Sequence, residues 1–296
     1  MPDFAYLLLG ALTVCALAFV LLDRAQPFSS PVRSIFGRWL RWLVFTFSAA
    51  ALSRDLGLID RPYWALVPAF FLLWLLAETL YNWLAISALS LSAEPLFPRF
   101  SVNASGEEWP THPRFLRLRD WLRSQGFRSV QALQAEVRPD LKLRGSFYQD
   151  ATGTIRLQIL FLPQPGGTLT VCHALTTQTA SGRRYLTDNL CLPFGGFYPD
   201  HWLVERDPWR RALPRLLARH RARLARADET PVPWTDDPLT DLNAQQRELE
   251  QVNTELGFLF PPGQREEHGK ITQAGRYRVW KEYWLLQYLG RSARYE

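Results

Sequence analysis

The chain has 296 residues, 47% of them hydrophobic, and a formal net charge of +6. That length allows one large or two small domains before apolar segments are subtracted, and three cysteines are too few for a disulfide framework. Of its 34 cationic side chains only Lys142, Lys270 and Lys281 are lysines, a bias that reads as nucleotide composition choosing the cation and lowers the information in any single Arg. The positive balance still points to an acidic counterpart: nucleic acid, anionic lipid or an acidic protein face.

The long apolar runs fall before residue 92. Residues 4–22 carry no charge and are long enough to span a bilayer. A cleaved signal peptide would need a basic start and a small-residue cleavage site, whereas the chain opens Met1-Pro2-Asp3 and follows the run with Asp23-Arg24. Residues 63–91 form a longer run that begins at Tyr63-Trp64 and contains Pro68, which membrane helices tolerate. Between them, 35–53 is a weaker candidate whose small patch, Ser48 to Ala51, suits close helix packing in lipid. Arginine placement decides whether it spans. Arg24, Arg33, Arg38 and Arg41 precede its apolar part, Arg54 and Arg61 follow it, and Arg99, Arg114, Arg117, Arg119 and Arg123 come after the third run. Three spans put the N-terminus outside and the arginine-rich segments inside, as the positive-inside rule asks; two spans would strand six arginines outside.

Glu78 is a carboxylate within the third run. With entry at Tyr63, about 20 residues bring the helix to Asn82, so Glu78 lies near the cytoplasmic boundary beside Tyr81 and Trp83. Arg41 would lie at similar depth, and an Arg41–Glu78 ion pair pinning two helices is expected. A proton- or ion-coupling role for Glu78, as in a small transporter component, is the alternative.

Residues 92–112 read as a Pro/Ser-rich linker. A helix with Phe115, Leu118, Trp121 and Leu122 on one face follows and ends near Gly126. Strand-like runs at 142–149, 154–162, 168–178 and 183–192 are separated by the turn compositions DATG, PQPGG and ASG, and 201–205 is a fifth candidate. A two-residue turn at Ser181-Gly182 would pair positions summing to 363 and set Cys172 opposite Cys191. Asp207-Pro208 reads as the start of a helix with a stripe of Leu213, Leu216, Leu217, His220 and Leu224.

From Arg206 to Arg226 there are eight arginines against Asp207 alone. Arg210, Arg211, Arg215, Arg219 and Arg223 are the expected basic surface facing anionic lipid headgroups or a protein partner. Nucleic acid is disfavoured, since no helix-turn-helix, zinc finger or aromatic-interleaved surface accompanies them. Residues 239–256 carry Leu239, Leu242, Leu249 and Leu256 at heptad-like spacing with Asn253 at an a position, a dimer signal that leaves a homo-oligomer open. In the tail, Tyr277, Trp280, Trp284 and Tyr288 run down one side of a helix apolar nearly all round, which must be buried against lipid, a partner or its own domain.

No phosphate-binding loop, G-x-S-x-G elbow, HExxH or CxxC is present; no metal site and no cofactor is expected. The fold class is a membrane-anchored α+β protein: three transmembrane helices, a cytoplasmic domain over 113–227 with an antiparallel meander of four or five strands flanked by helices, and a C-terminal helical extension over 228–296. The expected function is non-enzymatic, with the domain recruiting or stabilising a partner as a subunit of a membrane complex in the cell membrane. The competing reading is a membrane-bound enzyme with a site around Cys172, His173, Asp188 and Cys191.

Overall fold

Three helices lead the chain: α1 (Pro2–Arg24), α2 (Pro31–Asp55) and α3 (Tyr63–Leu91). The computed structural model describes residues 2–24, 30–106, 109–138, 141–163 and 169–293. Pro31 opens α2, where a missing N–H removes no helical bond. Ala50 and Ala51 of α2 are buried against Tyr63 and Leu66 of α3, because side chains this small let two backbones approach closely. Among the described residues α3 is long and apolar enough to cross a membrane, and Tyr6–Leu22 is a shorter apolar stretch. Four arginines dilute α2, namely Arg33, Arg38, Arg41 and Arg54.

The remainder is an α+β fold on one mixed sheet. Its strands are β1 (Ser101–Val102), β2 (Arg128–Arg138), β3 (Leu141–Gln149), β4 (Arg156–Pro163), β5 (Leu169–Thr179), β6 (Arg184–Asp188), β7 (Trp202–Arg206) and β8 (Pro231–Val232). β1 to β7 lie side by side in chain order, with β8 added to the end of β5. All neighbours are antiparallel except β6 and β7. The sheet is therefore wider than a meander of four or five strands. β2 escapes sequence reading because Gln, Ala and Glu are weak strand formers; its pairing with β3 holds it. The PQPGG turn falls largely outside the described residues.

The β5–β6 hairpin corrects the expected register. Thr179 N–H donates to the Arg183 carbonyl at 3.0 Å, and Gly182 N–H to Thr179 at 2.9 Å. The loop thus has three residues, with Gly182 at φ +81°, the left-handed position such loops reserve for glycine. Pairs now sum to 362, for example Thr177 opposite Tyr185. One residue of slip exchanges the faces of β6.

Alternation on the sheet makes two layers. Leu157, Ile159 and Phe161 of β4 face α4 (Pro113–Ser124) and α5 (Leu213–Arg226), burying Phe115, Leu122, Leu216 and Leu217. α5 starts at Leu213, six residues beyond the expected cap at Asp207, since Pro214 fits the first turn. The opposite face meets α6 (Pro238–Glu255), where Leu242 packs on Leu133 and Phe147. Asp237 caps α6 by accepting from Leu239 and Thr240 N–H. Because β8 joins the sheet and α6 covers it, 228–255 belongs to the domain's layers. Likewise 92–112 is no free linker: Phe97 is buried and Ser101–Val102 forms the edge strand. After the short helix α7 (Arg265–His268) comes α8 (Gln273–Leu289).

Candidate functional site

α8 lies in the seam between the leading helices and the domain. The end of α3 holds the segment that leads into it: Ser90 Oγ accepts from Ile271 N–H at 2.9 Å, and the Ser90 carbonyl from Lys270 N–H at 2.8 Å. At the other end Trp39 Nε1 donates to the Tyr288 carbonyl at 2.9 Å, and Arg38 donates to the Tyr283 hydroxyl. The expected aromatic row continues into α2. Trp280, Trp284 and Tyr288 follow one another at 6.3 and 4.4 Å between ring centroids, and Trp284 and Tyr288 meet Trp42 at 6.0 and 5.6 Å. Tyr277, at the open end, is 53% exposed. Of the possible neighbours, this row packs on the chain's own helices.

Arg41 and Glu78 are not brought together. Arg41 is exposed on α2, and among the described residues no ion pair joins it to Glu78. Glu78 faces the Tyr288 hydroxyl instead. Burial first, and then this carboxylate, push the Tyr288 phenol upward. Sequence spacing within α2 and α3 had no access to a partner from the C-terminal helix.

A loop fastens the other side of α8. Phe194-Gly195-Gly196-Phe197 presses on it so closely that a Cβ at Gly195 (φ +69°) would lie 2.6 Å from Val279 N. Arg278 Nε donates to the Gly195 carbonyl at 2.7 Å, and its guanidinium lies 3.9 Å over the Phe197 ring. Asn253 of α6 grips the same loop, accepting from Phe197 N–H at 2.7 Å and donating to its carbonyl at 2.9 Å. The residue that suggested a dimer is thus used within the chain.

The basic surface is largely turned inward. Arg210 pairs with Asp207 at 2.8 Å. Arg219 and Arg223 both pair with Glu205, at 2.6 and 3.1 Å, and Arg223 also donates to the Leu186 and Leu203 carbonyls. Arg211 donates to the Asn189 carbonyl and to Cys191 Sγ at 3.2 Å. Of the five arginines Arg215 is exposed, joined by Arg221 and Arg226 of the same helix. Packing of α5 beside β6 explains the loss, because Glu205 and the Leu186 and Leu203 carbonyls at the sheet end take the donors of Arg219 and Arg223.

The meander residues do not assemble a relay. Cys172 and Cys191 are free thiols that interact. The hydrogen bond from Cys191 outweighs desolvation and, with Arg211, holds the Cys172 thiol down at about 7, while Cys191 is pushed up. His173 is buried with its Nδ1 3.3 Å from Asn189 Nδ2. Burial, then Arg211 and Arg114, lower it to about 3, so it is neutral. Asp188 is bound to Arg206 at 2.8 Å, not to His173. Among the described residues no three His, Cys, Asp or Glu groups gather as a metal site.

The sheet face beneath α6 holds a cavity of about 320 Å³, walled by Leu96, Phe100, Phe147, Leu160, Ala174 and Leu186 among others. Arg156, Asp241, Asp188 and Arg206 also border it. Apart from Asp188, sequence reasoning named none of it as a site, since its wall comes from strands whose neighbours only the topology supplies. Comparison with known protein families, curated proteins and solved structures finds no match to this chain.

Proposed function

We propose that the chain is a non-enzymatic integral membrane protein with three spans, whose cytoplasmic α+β domain recruits or stabilises a partner as a subunit of a membrane complex. One observation carries the reading: the last helix is buried against α2 and α3 by an aromatic row while the Phe194–Phe197 loop and Asn253 clamp its other side. A domain joined to its anchor through a helix gripped from both sides presents its surface at a set height and orientation, which serves assembly more than diffusive encounter.

The leading helices support the membrane setting. Leu7, Leu17 and Leu21 of α1 and Leu72, Leu76 and Leu80 of α3 are exposed, an apolar area larger than soluble proteins leave to water. Lipid covers such a surface. Arg33 and Arg38 at the start of α2 mark the cytoplasmic side, and Arg215, Arg221 and Arg226 offer charge to anionic headgroups or an acidic partner, each worth ~1 kcal/mol close to a membrane.

Crosslinking in the membrane followed by extraction in mild detergent tests this. The intact chain should carry a partner in stoichiometric amount. A chain recovered alone after crosslinking contradicts the proposal.

A further inference from the structure

We propose that the sheet cavity binds an anionic amphiphile with a single alkyl chain, a role beyond partner recruitment and independent of it. The wall sets the shape. Leu96, Phe100, Phe147, Leu160 and Ala174 leave about 320 Å³, near the lower end of ligand pockets at roughly 300–1,000 Å³. Such a volume accommodates one alkyl chain.

The charge comes from a buried cluster at the edge. Asp241 is saturated: Oδ1 accepts from Arg184 Nη2 at 2.7 Å, and Oδ2 from Arg156 Nη1 and Gln245 Nε2, each at 2.9 Å. Two guanidiniums therefore share the one buried carboxylate, with the exposed Asp236 and Asp237 as more distant counter-charges to Arg156. Arg156 is 4% exposed, and its Nε, like Nη1 of Arg184, is buried without a hydrogen-bond partner. Buried donors of this kind are costly to leave unmade. Trp234 lies over both guanidiniums at 4.1 and 5.3 Å, which fixes the fork of Arg156 beside the cavity. The second pair at the wall, Arg206 with Asp188 at 2.8 Å, is balanced and adds no net charge. An apolar chamber with a buried guanidinium N–H left without an acceptor at its edge fits a carboxylate or phosphate monoester head on one alkyl tail. Leu96, Pro98 and Phe100 of the wall follow directly on α3, which ends at Leu91, so a lipid source and an aqueous one are both within reach.

The full chain in nanodiscs is titrated with radiolabelled dodecanoate, and dodecan-1-ol is tested as competitor. Dodecanoate should saturate at one site and hold it at least tenfold more tightly than the alcohol. Ala174→Phe, which fills the chamber, should reduce binding more than tenfold with an unchanged melting midpoint. If that variant does not fold, Leu190→Trp at the same wall replaces it. Arg156→Gln should erase the preference for the acid over the alcohol. Competition by lysophosphatidic acid doped into the disc identifies a membrane source, and its failure to compete an aqueous one. Equal affinity for acid and alcohol, no saturable site, or binding unchanged in a folded chamber-filling variant would overturn the proposal.

Discussion

The indole N–H of Trp39 donates to the carbonyl of Tyr288 at 2.9 Å across 249 residues of sequence. Around that bond the rings of Trp42, Trp284 and Tyr288 close on one another, so the second and last helices are packed as neighbours. Aromatic pairs add ~0.5–1.5 kcal/mol beyond the area they bury, and Trp39, Phe71, Trp284 and Tyr288 all meet Trp42.

Removing a ring from this row should loosen the domain from the leading helices. Trp284→Ala, at a half-buried ring, is expected to destabilise by about 2–3 kcal/mol, below the range for truncating a fully buried aromatic, whereas Tyr277→Ala at the exposed end should change stability by less than ~0.5 kcal/mol. Thermal midpoints of the two variants in one detergent compare them. Equal losses would show that the row is not a graded, buried contact.

Gly195 should tolerate no side chain. Its φ of +69° costs a non-glycine residue ~1–2 kcal/mol, and the added Cβ would meet α8 backbone at 2.6 Å. Gly195→Ala should therefore lower the midpoint by several degrees and expose the indoles of α8, seen as a red shift in tryptophan emission. Gly263→Ala, with nothing within 4 Å of its Cβ, is the matched control and should be silent.

Acid should destabilise the domain in a defined window. His173 and His220 are each lowered to about 3, chiefly by burial; His220 sits 2.9 Å from both Thr177 and Thr187 hydroxyls. Above the unfolded value of ~6.5 neither state holds the proton. As pH falls below it, the unfolded chain takes up protons that the folded chain refuses, so stability declines continuously toward pH 3. Glu229, held at about 2 by the Ser181 and Thr179 hydroxyls, adds its own loss only below ~4.5. Denaturant midpoints at pH 8, 6 and 4.5 should fall in that order, and His220→Gln should flatten the decline. A flat profile in the parent chain would contradict the buried, neutral histidines.

Much of the fold could be read along the chain, because periodicity reports the face each element buries. The stripe of Phe115 and Leu122, the alternation of β4 and the burial of Leu216 and Leu217 are where 3.6- and 2-residue periods put them. What failed depended on sequence-distant neighbours. β2 is a strand only because β3 pairs with it. The register of β5 and β6 turned on one loop residue, Gly182. Glu78 found its partner 210 positions away, in Tyr288, and Arg219 and Arg223 of α5 were absorbed by Glu205 and by carbonyls of β6 and β7. The cavity and its Arg156–Asp241–Arg184 cluster likewise required β4, β6 and α6 to be assembled first.

Membrane topology is most directly tested by impermeant maleimide labelling of cysteines placed, one at a time, at Gly57 and Gly106, in a chain with Cys15, Cys172 and Cys191 replaced by serine or alanine. Neither glycine has an atom within 4 Å of an added Cβ, although both have positive φ, so each variant is first checked for an unchanged melting midpoint. Three spans with a cytoplasmic domain predict that the position 57 cysteine reacts in intact cells, while the position 106 cysteine reacts only after permeabilisation. Labelling at position 106 in intact cells would contradict the three-span arrangement and with it the cytoplasmic placement of the α+β domain.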